Sequence, residues 1–185
     1  KKLVQTISYL PHFLTTVIVC GMIRTLTSTD GGLVNAFITT LGYEPIYFLG
    51  DPRYFRSILV ISDIWQGFGW GSIIYLAAMT GIDQSLYEAA EVDGAGWLKK
   101  MWHITLPGIL PVMSIMLIFR VGGLLDAGFE QIFLLYSPQV YSVADVISTY
   151  VYREGLVGMK YSFTTAVNLF ISVISLIMVL GSNYA

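Results

Sequence analysis

Residues 86–107 read LYEAAEVDGAGWLKKMWHITLP, a polar island of 22 residues between two of the most hydrophobic segments of the chain. Asp83 or Ser85 can cap a helix, and Ser85 with Glu88 three residues on fits a capping box, which predicts a short helix over residues 85–92. Asp93-Gly94 then breaks it, because glycine tolerates the left-handed backbone that a tight reversal needs. Residues 95–104 predict a second short helix with Trp97, Met101 and Ile104 on one side and Lys99, Lys100 and His103 on others. Pro107 is placed to start the next segment, where its missing N–H costs nothing. The island is then two short helices in an L. Ala89 and Ala90 at the elbow let another surface approach closely, beside Glu88 and Glu91 as partners for that surface's cations. On the residues alone, a docking knob and an ordinary solvated loop both remain open.

The surroundings say what the island projects from. Of the 185 residues 55% are hydrophobic and 12% charged, with a mean hydropathy of +0.69, too little polar surface to cover a soluble globule of this size. A membrane span needs roughly 20 apolar residues, and residues 9–26, 58–80, 107–125 and 165–181 reach or approach that, predicting four transmembrane helices. These windows lack the alternation of barrel strands, so the fold class is all-α, a polytopic membrane helix bundle with short interfacial helices. The chain opens on Lys1 and stops at Ala185 directly after a hydrophobic run, which is expected of a fragment and assigns no targeting segment. The one cysteine, Cys20, excludes a disulfide within the chain and any CxxC site, and reads as a packing residue. A net charge of −2 without a basic run gives no reason to invoke nucleic acid.

Within a single membrane domain spanning residues 1–185, two loops carry structure of their own. In residues 24–57, Leu33, Val34, Phe37, Ile38 and Leu41 recur at helical spacing until Gly42 closes a short amphipathic helix. In residues 126–163, Ser142 as N-cap, Asp145 three residues on, a stripe of Val146, Ile147, Tyr150 and Val151, and Gly155 as stop predict a second. With four simple crossings, these loops share one side of the membrane, and the island, residues 81–106, lies on the other with both termini. Lysines and arginines fall on both sides, so the positive-inside rule does not orient the chain.

The island carries a resemblance that orients it. Glu88-Ala89-Ala90, three residues, Gly94, nine residues, Ile104, one residue, then Leu106-Pro107 is similar at every fixed position to the EAA loop of membrane subunits of binding-protein-dependent ABC importers. The stretches SYLPHF, GFEQIFLLY and VADVISTYVYREGL resemble the subgroup associated with complex carbohydrates and oligosaccharides, whose members usually have six spans, so that the first two are missing here. The resemblance implies a multi-pass subunit of the bacterial plasma (inner) membrane whose island faces the cytoplasm and enters a cleft on an ATPase subunit. Glu88 is then the salt-bridge partner of an ATPase arginine and Gly94 the turn. It further implies alternating access as a dimer with a sister permease, a pair of ATPase subunits binding ATP and Mg, and loops that meet an extracytoplasmic substrate-binding protein. One departure is visible: Gln84 follows Asp83 where the subgroup often has proline. No cofactor is expected in this chain, which has no GxxxxGK[ST] phosphate loop, and no HExxH, GxSxG or Ser/His/Asp set points to an enzyme or a metal site. His12 and His103 carry no expected chemistry.

Charges at membrane depth tend to face a cavity or a partner, since each costs a few kcal/mol at the bilayer centre. Asp63 lies about 9 Å below the outer start of its span, and Arg120 about 10 Å below the outer face of a core about 30 Å thick. The two are expected to pair or to line one outward vestibule. Asp63, Gln66 and Trp70 form one polar-aromatic stripe, and Thr165, Asn168, Ser172 and Ser175 another; each can line a sugar path or pack helices. Gly67 and Gly71 form a small-xxx-small contact motif. Phe129, Glu130 and Gln131, with Asp126, Tyr136 and Tyr141, supply the aromatic and carboxamide mixture that contacts sugars, or an interface belt. The expected function is passage of an oligosaccharide driven by a separate ATPase. The alternatives are another solute through the same machine, a membrane-embedded enzyme, or a scaffold that recruits a soluble partner without transport.

Overall fold

The first hydrophobic window does not form one helix. In the computed structural model, which describes residues 2–126 and 128–184, α1 (Lys2–Tyr9) runs into a 3-10 turn (Leu10–Phe13), and α2 (Thr16–Thr27) leaves at a bend of 95°. The causes are local. Pro11 has no N–H to continue the ladder of α1, Leu14 and Thr15 are extended, and Thr15 caps a new helix by accepting from the Ile18 N–H at 3.4 Å.

The bend is held by α4 (Pro52–Thr80). Gln66 Nε2 donates to the Leu14 carbonyl at 2.8 Å, and Trp70 stacks on His12 with ring centroids 4.4 Å apart while meeting Phe13 edge-on. The glycine that makes this approach possible is Gly69, where a Cβ would stand 1.9 Å from the Ser8 carbonyl oxygen. The expected contact through Gly67 and Gly71 is not made, since neither has a neighbour within 4 Å of a Cβ position.

Among the described residues two continuous helices, Trp97–Gly122 and Tyr161–Tyr184, are long and apolar enough to cross a membrane, and the bent pair is a third if taken as one span, against the four spans expected. At 29 residues, α4 is about 44 Å long, but Asp63, Gln66 and three glycines in its middle dilute its apolar character. Gln66 spends its polarity inside the protein, on Leu14, as Ser62 does in its bond with Gln131 at 2.7 Å.

Between α2 and α4 lies the expected amphipathic helix, α3 (Leu33–Thr40), with Gly42 beyond it at φ 87°. Its anchor is Asn35, 2% exposed. The Asn35 amide donates to the carbonyls of Thr27, Ser28 and Ile46 at 2.9–3.1 Å and accepts from the Ile46 N–H at 2.8 Å.

The island forms α5 (Gln84–Val92), capped by Asp83, which accepts from the Ser85 N–H at 2.9 Å, and not by Ser85. Its second arm is not a separate helix. α6 (Trp97–Lys100), a π-turn (Met101–Thr105) and α7 (Leu106–Gly122) run on as one. In a regular α-helix Pro107 would clash with the carbonyl four residues back; the wider π-turn, with the Leu106 N–H on the Met101 carbonyl, lets the helix continue past it.

The second loop helix is also divided, into α9 (Tyr141–Ala144) and α10 (Ile147–Val151), preceded by α8 (Phe129–Leu135) and a 3-10 turn (Pro138–Val140). Asp145 is the divider. It accepts from Thr149 Oγ1 at 2.7 Å and pairs with Arg153 Nη2 at 2.6 Å. Burial pushes its carboxyl up, but the hydrogen bonds from Arg153 and Thr149 outweigh this and hold it below the usual carboxylate range. A π-turn (Tyr152–Val157) carries the chain past Gly155, the expected stop, to Gly158 and then α11 (Tyr161–Tyr184). Gly155 sits where a Cβ would meet Thr164 Oγ1 at 1.7 Å.

The buried core of Cys20, Phe55, Ile132, Leu135, Val140 and Ala144 joins α2, the start of α4, α8, the 3-10 turn and α9. It lies about 40 Å along α4 from the elbow. Beyond it α7 packs on α4 and on α11, closest at Gly122 against Val179. Replacing Asn35 by Ala would strand the half-buried Ile46 N–H and the carbonyls of Thr27 and Ser28, while the Ile46 carbonyl keeps the Phe48 N–H, so Asn35→Ala should lower unfolding stability by about 2–4 kcal/mol. Thermal unfolding in detergent measures it; an unchanged melting temperature would contradict the anchoring role.

Candidate functional site

Two places combine exposure with chemistry: the elbow after α5, and a cavity between α4 and α7. At the elbow Gly94 has φ 70°, the Ala95 N–H reaches the Ala90 carbonyl at 2.8 Å and the Gly94 N–H reaches that of Glu91 at 3.0 Å. This pair of bonds is a Schellman reversal, which needs the left-handed residue that glycine supplies. Around it Val92 is 90% exposed and Trp97 74%, an apolar surface without cover.

The three elbow carboxylates, Glu88, Glu91 and Asp93, are all exposed, and among the described residues only one of them is paired. Glu88 is exposed and among the described residues has no ion-pair partner. Glu91, expected to be equally available, is taken by Lys100 Nζ at 2.5 Å, whose hydrogen bond and charge hold its carboxyl below the usual range. Ala89 and Pro107 are exposed, Leu106 is half-buried, and Ala90 and Ile104 line a hollow of about 410 Å³ with Ala95, Lys99, Lys100 and His103. The elbow therefore offers two carboxylates without an ion-pair partner among the described residues, Glu88 and Asp93, with small side chains and a shallow hollow.

The second place is a cavity of about 450 Å³ lined by Asp63, Gly67, Phe68, Gly71, Ser72, Tyr75 and Arg120, among others. Asp63 and Arg120 share it without forming an ion pair. A neighbouring hollow of about 360 Å³ shares Tyr75 and Arg120 and is otherwise lined by α7 residues such as Met113, Ser114 and Leu117. Asp63, Gly67, Gly71 and Tyr75 are spaced by four, one row of a helix surface; that row was the signal for Tyr75, which the sequence reading missed. The expected stripe of Asp63, Gln66 and Trp70 is split, because Gln66 and Trp70 turn to the bend in the first span.

The remaining candidate residues do not line this cavity. Gln131 is bonded to Ser62, Phe129 packs on Phe133 and Tyr152, Glu130 is exposed on α8, and Asn168 is exposed on α11. Because Asp63 and Arg120 share one cavity, Asp63→Asn and Arg120→Gln should be non-additive in thermal stability, with a coupling of about 0.5–3 kcal/mol in a double-mutant cycle. Strict additivity would contradict a shared cavity.

Comparison with known proteins agrees with this geometry. Residues 2–184 match the family described as the binding-protein-dependent transport system inner membrane component. Protein LplB of Bacillus subtilis (strain 168) is 44% identical over 184 residues, which is 100% of this chain and 58% of LplB. The polygalacturonan/rhamnogalacturonan transport system permease protein YteP of the same organism is 45% identical over 183 residues, 99% of this chain and 57% of YteP. Among solved structures, a bacterial ABC transporter involved in the import of the acidic polysaccharide alginate is similar with a TM-score of 0.95 and 47% identity, covering 99% of this chain and 64% of the other. A bacterial alginate ABC transporter in complex with alginate pentasaccharide-bound periplasmic protein gives 0.94 at the same identity. The chain thus spans less than two thirds of the length of these relatives. With the match running over nearly every residue and the elbow in place, the chain belongs to the binding-protein-dependent transport system inner membrane component family, the helical permeases of type I ABC importers.

Proposed function

We propose that this chain is part of a permease subunit in a bacterial inner membrane that carries an oligosaccharide and couples its passage to ATP hydrolysis on a separate ATPase subunit. The observation that carries the proposal is the elbow: Glu88 and Asp93 stand without an ion-pair partner among the described residues on an exposed reversal, while Glu91 is satisfied internally. Free carboxylates beside Ala89 and an uncovered Val92 suit a cleft that supplies a cation and an apolar wall, and a charge-assisted bond from Glu88 to arginine is the strong form of that contact. ATP and Mg bind the ATPase pair, and closure of that pair displaces the elbow. The elbow then faces the cytoplasm, and the loop cap built on α3 and α8–α10 faces out to meet a substrate-binding protein. A sister permease closes the open side of the cavity.

The cavity suits a saccharide. Tyr75 and Phe68 offer rings, Ser72 and Asp63 accept hydroxyls, and Arg120, without a partner of its own, favours a sugar bearing carboxylate. Two relatives bear on the cargo: YteP by its name serves polygalacturonan and rhamnogalacturonan, and the structural neighbour imports alginate. Uptake into proteoliposomes containing the full-length subunit, its sister permease, ATPase and binding protein tests the proposal. Glu88→Arg and Gly94→Pro should each release the ATPase and reduce uptake to about a tenth or less. Unchanged uptake in both would refute the proposed role of the elbow.

A further inference from the structure

The elbow and the cavity lie at opposite ends of one helix, with Lys100 and Arg120 about 30 Å apart along it. Displacement of α5 reaches Arg120 only if α5 moves with that helix, and the reversal at Gly94 is by itself a hinge. Two side-chain contacts span the hinge. Near it Lys100 Nζ meets Glu91 Oε1 at 2.5 Å, with the Lys100 side chain only 17% exposed. One level away, the Tyr87 hydroxyl meets Thr105 Oγ1 at 2.9 Å in a partly buried setting.

The spacing of these four residues is informative. Tyr87 and Glu91 are four apart on α5 and so share a face. Lys100 and Thr105 are five apart, which in a regular α-helix sets them about 140° around the axis from each other. The π-turn over Met101–Thr105 removes that mismatch, since its wider turn stacks residues five apart, and Thr105 Oγ1 lies 3.5 Å from the Lys100 carbonyl oxygen. The turn that accommodates Pro107 therefore also brings both partners to the face that α5 occupies.

Resting on the function proposed above, we propose that Tyr87–Thr105 and Glu91–Lys100, set in register by the π-turn, bind the docking elbow to the helix that carries Arg120 and make the two a single lever. The four are positioning residues that deliver the movement of the ATPase to the cargo; Tyr87 and Thr105 lie outside the elbow hollow, while Lys100 also lines it. The reconstituted transporter tests this by comparing ATP hydrolysed with solute moved. Tyr87→Phe and Thr105→Val should keep ATPase association and hydrolysis, leave the uptake KM unchanged, and lower uptake turnover about tenfold, so that ATP spent per solute rises in proportion. Glu91→Lys and Lys100→Glu, which lie at the docking elbow, should each lower uptake, and the double exchange should restore it. Should Tyr87→Phe disturb folding, the more exposed charge pair still decides the matter. Wild-type coupling in both Tyr87→Phe and the single charge reversals would overturn the proposal, as would loss of ATPase association in Tyr87→Phe and Thr105→Val, which would make these docking residues. Absence of ATP-driven uptake in the wild type would instead contradict the proposed function itself.

Discussion

A backbone carbonyl left bare in hydrocarbon costs several kcal/mol, and the break at Leu14 places one within the first span. The bond from Gln66 to that carbonyl is the interaction on which the bundle depends. It requires a polar side chain in the middle of α4, it draws Trp70 onto His12, and it brings α1 and α4 close enough that Gly69 must lack a side chain. With Gln66 and Trp70 committed to the bend, the neighbouring row of α4 is left to face the cavity with Asp63 and Tyr75. One unsatisfied group thus decides which face of α4 packs and which is open to a ligand.

The same constraint explains what the sequence made legible and what it did not. The elbow was legible because Asp93-Gly94 is a strong local break, and α3 because its apolar stripe ends at Gly42. The buried state of Cys20 followed from its surroundings in the same way. Features that depend on distant partners were hidden. Nothing local marks Asn35 as the anchor of its loop, since its partners lie seven to eleven residues away. The π-turn before Pro107 replaces a helix start with a continuous helix, because a widened turn accommodates proline as well as a terminus does. Asp145 divides a helix that periodicity runs together, through its bonds to Thr149 and Arg153. The polar stripe of α4 was split only because the first span bends.

The functional picture assembled from these parts is of charges with separate duties. Glu91 and Asp145 have partners within the chain and act in shape. Glu88, Asp63 and Arg120 make no ion pair among the described residues; Glu88 sits at the elbow, and Asp63 and Arg120 in the cavity. A guanidinium at membrane depth is costly unless it meets a partner, and under the proposed function that partner is the cargo.

The central claim is that the elbow seats in an ATPase subunit. The most direct measurement is thiol cross-linking from Glu88→Cys in the assembled full-length transporter, with Cys20 buried and any native cysteines outside this sequence replaced. The account predicts cross-links from position 88 to the ATPase subunit, and none from a cysteine placed in the loop cap at the other end of α4. Cross-linking from the cap with none from position 88 would contradict it.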